Sequence, residues 1–191
     1  SDLDKSDVIR QICAHISGDN LSDAAATLQL HYPFAPQKRE SRQYSARQMV
    51  ETFVRDGFID RYRGNRLIFP PVLRVISEYI PSEFPYHPHG KMTFGHMAYW
   101  ELFPTIDHII PVARGGTDSK DNWATCSMLT NSIKAGWTLE ELGWRLQPPG
   151  NTSVWDGMFR WFITHVESNN SLLKVPYIRR WYGAAIQCGV L

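Results

Sequence analysis

Apolar residues recur at helical spacing toward both ends of the chain, and strand-like β-branched runs lie between them. Val8, Ile9, Ile12, Cys13 and Ile16 form one stripe within Asp4 to Ser17, which ends at Gly18. Leu21 to His31 reads as a second helix, and Tyr32 to Arg42, with Pro33 and Pro36, as a linker. Ser45-Ala-Arg-Gln48 has the form of a capping box and starts a third helix, which runs to Asp56 and closes at Gly57. Residues 58–69 predict a hairpin turning at Gly64-Asn65, and Pro70 to Ile80 a helix behind its proline pair. Phe84 to Phe94 is a loop rich in Pro and His. Further on, Thr138-Leu-Glu-Glu141 is a second capping box, and Pro148-Pro149-Gly150 breaks the chain. Val154 to Val166 and Val175 to Ile186 predict two helices, whose Trp155, Phe159, Trp161, Phe162, Trp181 and Tyr182 read as core.

The middle of the chain is patterned differently. Thr105 to Ile110 is β-branched and stops at Pro111, so it predicts a strand. Side chains alternate along a strand, so Asp107 and His108 point opposite ways unless the strand bends or bulges. Residues 112–121 form a loop in which Gly115-Gly116 can take positive φ. Asn122 to Cys126 predicts a second strand paired with the first. Ser127 then caps a helix from Met128 to Ala135, stopped by Gly136. Asn131 and Lys134 are three apart and share a face of that helix. The expected unit is strand, loop, strand, helix, with Asp107 and Asn131 able to converge across it.

An acidic residue beside a histidine, a Pro, a Gly-Gly loop, an Asn and then Asn-x-x-Lys occur here in order between residues 105 and 136. That series resembles the HNH endonucleases, whose core is a ββα-metal unit. The resemblance implies an α+β fold with a ββα-metal core and helical N- and C-terminal extensions. It implies His108 as the general base that activates water, with Asp107 and Asn131 as metal ligands. Asn122 would brace the loop and so help aim His108, and Lys134 would meet a DNA phosphate. The chemistry of these side chains agrees. Imidazole accepts protons near neutral pH, and hard divalent ions take oxygen ligands. The cofactor expected is one divalent ion, Mg2+ first, with Mn2+ or a late transition metal as alternatives.

Many HNH proteins also carry two Cys-x-x-Cys pairs around a structural zinc. Here Ser127 and Thr130 stand at the second pair, Cys126 is one place early, and residues 59–68 hold no cysteine. A variant without a zinc knuckle is therefore expected, stabilised by packing that the 13% aromatic content makes possible. His87 and His89 around Pro88, and His96, read as loop and surface residues, with extra metal ligation as the other reading.

At 191 residues and 43% hydrophobic content the chain can bury one core with appendages. The expected regions are a helical 1–36, a nuclease core at 37–145 that includes the preceding helix and hairpin, and a helical 146–191 packing on the core. No apolar run approaches a membrane span. Three scattered cysteines suit a reducing cytoplasm. Net charge is +1, yet residues 38–66 hold eight Lys or Arg against four Asp or Glu, interleaved with Tyr44 and Tyr62. That run reads either as a DNA-facing surface, with Arg61, Arg63 and Arg66 on the hairpin, or as a solvated face. Arg114, beside the glycine pair, either contacts phosphate or pairs with Asp118.

The function these expectations compose is metal-dependent DNA cleavage giving 5′-phosphate and 3′-hydroxyl ends, in restriction or phage defence by family analogy. Double-strand cutting from one such site would need two visits or a homodimer. Two other readings stand beside it. One is a non-catalytic nucleic-acid-binding module. The other is a structural or protein-interaction domain in which Asp107 and Asn131 only stitch the hairpin to the helix.

Overall fold

A computed structural model describes residues 4–34 and 43–189. Most of the expected linker at 32–42 lies outside the described residues, as do Lys38, Arg39 and Arg42 of the basic run. The chain forms two compact units, Ser1–Ser41 and Arg42–Leu191.

In the first unit α1 (Lys5–Ser17) packs on α2 (Leu21–His31). Asp4 caps α1 by accepting from the Ser6 amide at 2.7 Å, and Asn20 caps α2 by accepting from the Asp23 amide at 3.2 Å. Ile9, Ile16, Leu21, Leu28 and Leu30 stay exposed.

The second unit opens with α3 (Ala46–Arg55), and its capping box forms in both directions between Ser45 and Gln48. Then follow α4 (Pro70–Tyr79), with proline at the start where a missing N–H costs nothing, and the single turn α5 (Ala98–Glu101). Next come β1 (Pro104–His108), β2 (Trp123–Ser127), α6 (Met128–Lys134), the short α7 (Leu139–Leu142), α8 (Phe159–Ser168) and α9 (Pro176–Cys188). The fold is α+β: helices with one small antiparallel sheet, and β1, β2 and α6 form a consecutive ββα unit. The main core is aromatic. The Phe69 ring lies 4.8 Å from Phe159, 5.3 Å from Phe162 and 5.5 Å from Trp181, the last two edge-to-face. Such pairs add about 0.5–1.5 kcal/mol each beyond area burial.

Two elements differ from the sequence expectation. α8 starts at Phe159, five residues later than predicted. Gly157 and Met158 both take left-handed φ, +64° and +65°, and a side chain on Gly157 would run into the Phe58 ring. The hairpin at 58–69 shrinks to one bridge, Ile59 to Arg66. Its Asp60 carboxylate accepts the amides of Tyr62 and Arg63, both at 3.0 Å, which turns the chain before a ladder can run.

That turn does something else instead. The outer edge of β2 presents the backbone groups of Trp123, Thr125 and Ser127 away from β1. Asp56 accepts the Thr125 amide at 2.7 Å, and Asp60 accepts the Ser127 amide at 3.0 Å. The Arg61 amide donates to the Thr125 carbonyl at 2.8 Å, and Arg55 donates to the Trp123 carbonyl at 2.6 Å. Asp56 is fully buried and paired with Arg61 at 2.7 Å and Arg55 at 3.0 Å. Beside the aromatic packing, two buried carboxylates close a strand edge.

Candidate active site

β1 and β2 pair without a bulge, from Pro104 opposite Ser127 to His108 opposite Trp123. Alternation therefore holds to the end of β1, and Asp107 and His108 face opposite sides of the hairpin. One side, with Ile106, His108 and Trp123, meets α3 and the main core. The other, with Thr105, Asp107, Ala124 and Cys126, meets α6 and a smaller cluster around Tyr62.

On the first side His108 Nε2 lies 2.8 Å from Asp118 Oδ1 and 3.4 Å from the Tyr44 hydroxyl. The same Asp118 oxygen accepts from Trp123 Nε1 at 3.0 Å. A carboxylate only accepts, so Nε2 carries the hydrogen and the lone pair of the neutral ring is on Nδ1. The imidazole is buried, with 7% of its side chain exposed, while that of Asp118 is 49% exposed. The Tyr44 ring stands edge-on to Trp123 at 4.9 Å and completes the wall.

On the second side Lys134 is fully buried. Its ammonium donates to Asp107 Oδ2 and to the His108 carbonyl, each at 2.8 Å. Tyr62 donates to the same Asp107 oxygen at 2.7 Å, and burial with the Asp107 charge holds its hydroxyl far above the usual phenol range. Cys126 is likewise held well above its ordinary value, by burial first and Asp107 second, so it stays a thiol. Asn131 donates from Nδ2 to Thr105 Oγ1 at 3.0 Å, which puts it over the face of β1 that carries Asp107.

The connection between the strands is built around Asn122. Its Nδ2 donates to the carbonyls of Ile110 and Thr117 at 2.9 and 2.8 Å, and its Oδ1 accepts the Ile110 amide at 2.9 Å. Gly115 takes φ +90°, and a Cβ on Gly116 would collide with the Ile110 carbonyl oxygen. The loop can close over Asn122 only with that glycine pair.

The residues expected to touch DNA separate. Lys134, read from sequence as a phosphate contact, has no exposed surface, because the face it shares with Asn131 is turned onto β1. Arg61 is also corrected: its side chain is 13% exposed, and it bonds Asp56 and the Gln147 carbonyl. Arg63 and Arg66 are exposed, with guanidinium groups over the Trp144 and Trp155 rings at 5.8 and 5.0 Å. Arg114 pairs with Glu141 at 3.3 Å, since Asp118 is taken by His108. Tyr44 and Tyr62, interleaved in the basic run, flank His108 and Asp107. In sequence Asp118 reads only as a partner for Arg114, and no spacing rule links it to His108.

The HNH endonuclease family model matches residues 100–127. That stretch is similar to the HNH endonucleases. The match runs from the end of α5 through β1, the loop and β2, so it includes Asp107, His108 and Asn122, while Asn131 and Lys134 follow it. No curated protein and no solved structure matches the chain significantly. The matched stretch points to nuclease or nucleic-acid-binding function. Among the described residues no helix is long and apolar enough to cross a membrane. Nor do three or more His, Cys, Asp or Glu cluster as a metal site among them.

In the ββα unit Asp107 and Asn131 are oxygen-bearing side chains that could hold an ion. Asp107 Oδ2 is used by Lys134 and Tyr62, which leaves Oδ1. The Asn131 amide nitrogen is used by Thr105, on the face of β1 that also carries Asp107, which leaves the amide oxygen as its donor atom for an ion. One carboxylate and one amide oxygen suit a hard divalent ion whose other positions are filled by phosphate and water. The nearby ammonium makes such a site weak until phosphate joins it.

Proposed function

We propose that this chain is an HNH endonuclease that hydrolyses DNA phosphodiester bonds with one divalent ion, leaving 5′-phosphate and 3′-hydroxyl ends. The observation that carries the reading is His108, held by Asp118 in one tautomer within a matched HNH segment. In this reading His108 accepts the proton of the attacking water at Nδ1. Asp118 keeps the hydrogen on Nε2 and shares the imidazolium charge that forms. Asn122 fixes the backbone that follows His108, by its bonds to both polar groups of Ile110. Asp107 and Asn131 would hold the ion, Mg2+ before Mn2+. Bound there, it supplies positive charge to the phosphoryl group and the leaving 3′ oxygen. Of the cations singled out in sequence, Arg63, Arg66 and Arg114 are exposed and would meet the DNA backbone. The setting, a cytoplasmic restriction or phage-defence system, comes by family analogy.

One observation favours a second reading, a non-catalytic nucleic-acid-binding module: Asp107 is already neutralised by a buried lysine. Plasmid cleavage separates the two. Wild type should cut in Mg2+ or Mn2+ and stop in EDTA, and His108→Ala should lose about 10²–10⁴-fold in rate while staying folded. Wild type that binds plasmid yet leaves it intact in every divalent ion would sink the nuclease and leave the module.

A further inference from the structure

A cavity of about 410 Å³ opens at the other end of the hairpin from His108. Its walls include Phe103, just before β1, and Met128, the first residue of α6, and the Met128 amide donates to the Phe103 carbonyl at 2.9 Å. It is therefore built on the HNH unit itself. The remaining walls are aromatic: Tyr86, Tyr99, Trp100 and Tyr177. None of the lining residues is acidic, and the rim carries Lys91, His87 and His89.

These walls are held in place before any ligand arrives. The Tyr99 hydroxyl donates to the Leu73 carbonyl at 3.0 Å and lies 2.7 Å from Ser77 Oγ. Burial pushes it up to about 12, so it stays neutral at any ordinary pH. Tyr86 stands 5.5 Å from Tyr99 and 6.4 Å from Tyr177. The Arg74 guanidinium lies 4.3 Å over its ring and is tied to Glu78 at 2.7 Å. At the rim His87 Nδ1 accepts the amides of His89 and Lys91 at 3.2 and 3.4 Å. That places the hydrogen of the neutral ring on Nε2, as a donor. Flat π-faces set in a rigid frame, with donors and a cation at the mouth, match a flat heteroaromatic ring that trails a phosphate.

We propose that this cavity receives one unstacked nucleobase of the DNA strand presented to the His108 site. The volume falls in the range of small-molecule sites, ~300–1,000 Å³. The four steps of β1 from Pro104 to His108 span about 13 Å, close to four stacked nucleotides at ~3.4 Å each. A base a few positions from the scissile phosphate therefore reaches the cavity. Lys91 then meets its phosphate, and the aromatic walls replace the stacking lost within the strand. The proposal rests on the nuclease reading for its substrate, but the cavity can be tested without cleavage.

The test uses single-stranded DNA with 5-iodouracil stepped along its length, irradiated with the full chain in EDTA and mapped by peptide mass. One position is expected to cross-link within residues 84–103. Trp100→Ala is expected to lose roughly tenfold in affinity for the same DNA, and Trp100→Phe, which keeps a π-face and the packing, to retain most of it. Cross-links confined to other segments, or wild-type affinity in Trp100→Ala, overturn the proposal. Plasmid cleavage by wild type is read in parallel. Cross-linking in the cavity without cleavage in any divalent ion keeps the cavity and removes the nuclease. Cleavage without such cross-links does the reverse.

Discussion

The two faces of one five-residue strand treat their charges in opposite ways. Asp107 is sealed against Lys134 and Tyr62, and the lysine has no exposed surface. His108, one residue on, bonds a carboxylate that is half in water. A buried ion pair must stay paired, because separating it strands a charge in a poor dielectric. A pair with one solvated member can open and reform at little cost. On the sealed face the ion pair holds Asp107 in place, and on the other the half-open pair leaves His108 a proton to exchange in the proposed reaction. Lys134 reaches across as well, since it also binds the His108 carbonyl and fixes the backbone from which the imidazole hangs.

The contrast can be broken most severely at Lys134. Lys134→Met leaves Asp107 buried without its cation and should cost about 3–5 kcal/mol in urea unfolding. Adding Asp107→Asn should return most of that loss. A single variant within 1 kcal/mol of wild type would show that the face is not sealed. Next is Tyr62→Phe, which removes one hydrogen bond to a charged oxygen and keeps the ring. The expected loss is ~1.5–3 kcal/mol, with cleavage reduced only as far as folding is. Rates that collapse while stability holds would move Tyr62 from support of Asp107 to chemistry. The smallest stability change belongs to Asp118→Ala, about 1 kcal/mol or less because the carboxylate is solvated. Its cleavage rate should nevertheless fall about 10–100-fold, the range for partners that orient a functional imidazole. Equal losses in Asp118→Ala and Tyr62→Phe, in both readouts, would erase the distinction between the faces.

What could be read in advance was what is local. The caps at Ser45, Ser127 and Thr138 act on amides three residues on, so four letters suffice to find them. Asn122 and the glycine pair work within one loop. The strands were legible from β-branching and a proline stop, each within a residue or two of where it lies. The failures at Lys134 and Arg61 came where a side chain's partner is distant. Lys134 and Asn131 do share a helix face, but sequence could not tell whether it meets solvent or β1. Arg61 belongs to a basic run, yet Asp56 and Gln147 bury it. Asp60 spoiled the hairpin expectation because its carboxylate competes for the amides a ladder would use.

The carboxylate-closed edge of β2 also bears on how the chain comes to be folded. The strands of the ββα unit are neighbours in sequence, whereas the bonds that cover β2 span 69 residues to Asp56 and 67 to Asp60. Until those close, Trp123-Ala-Thr-Cys-Ser127 is an uncharged ribbon with unpaired amides, the kind of edge that recruits a second copy. Both aspartates lie upstream, so during synthesis they leave the ribosome before the strand they cover. A chain made in that direction meets its own cover first. A chain diluted from denaturant has no such head start, and each of its ribbons is exposed to all the others.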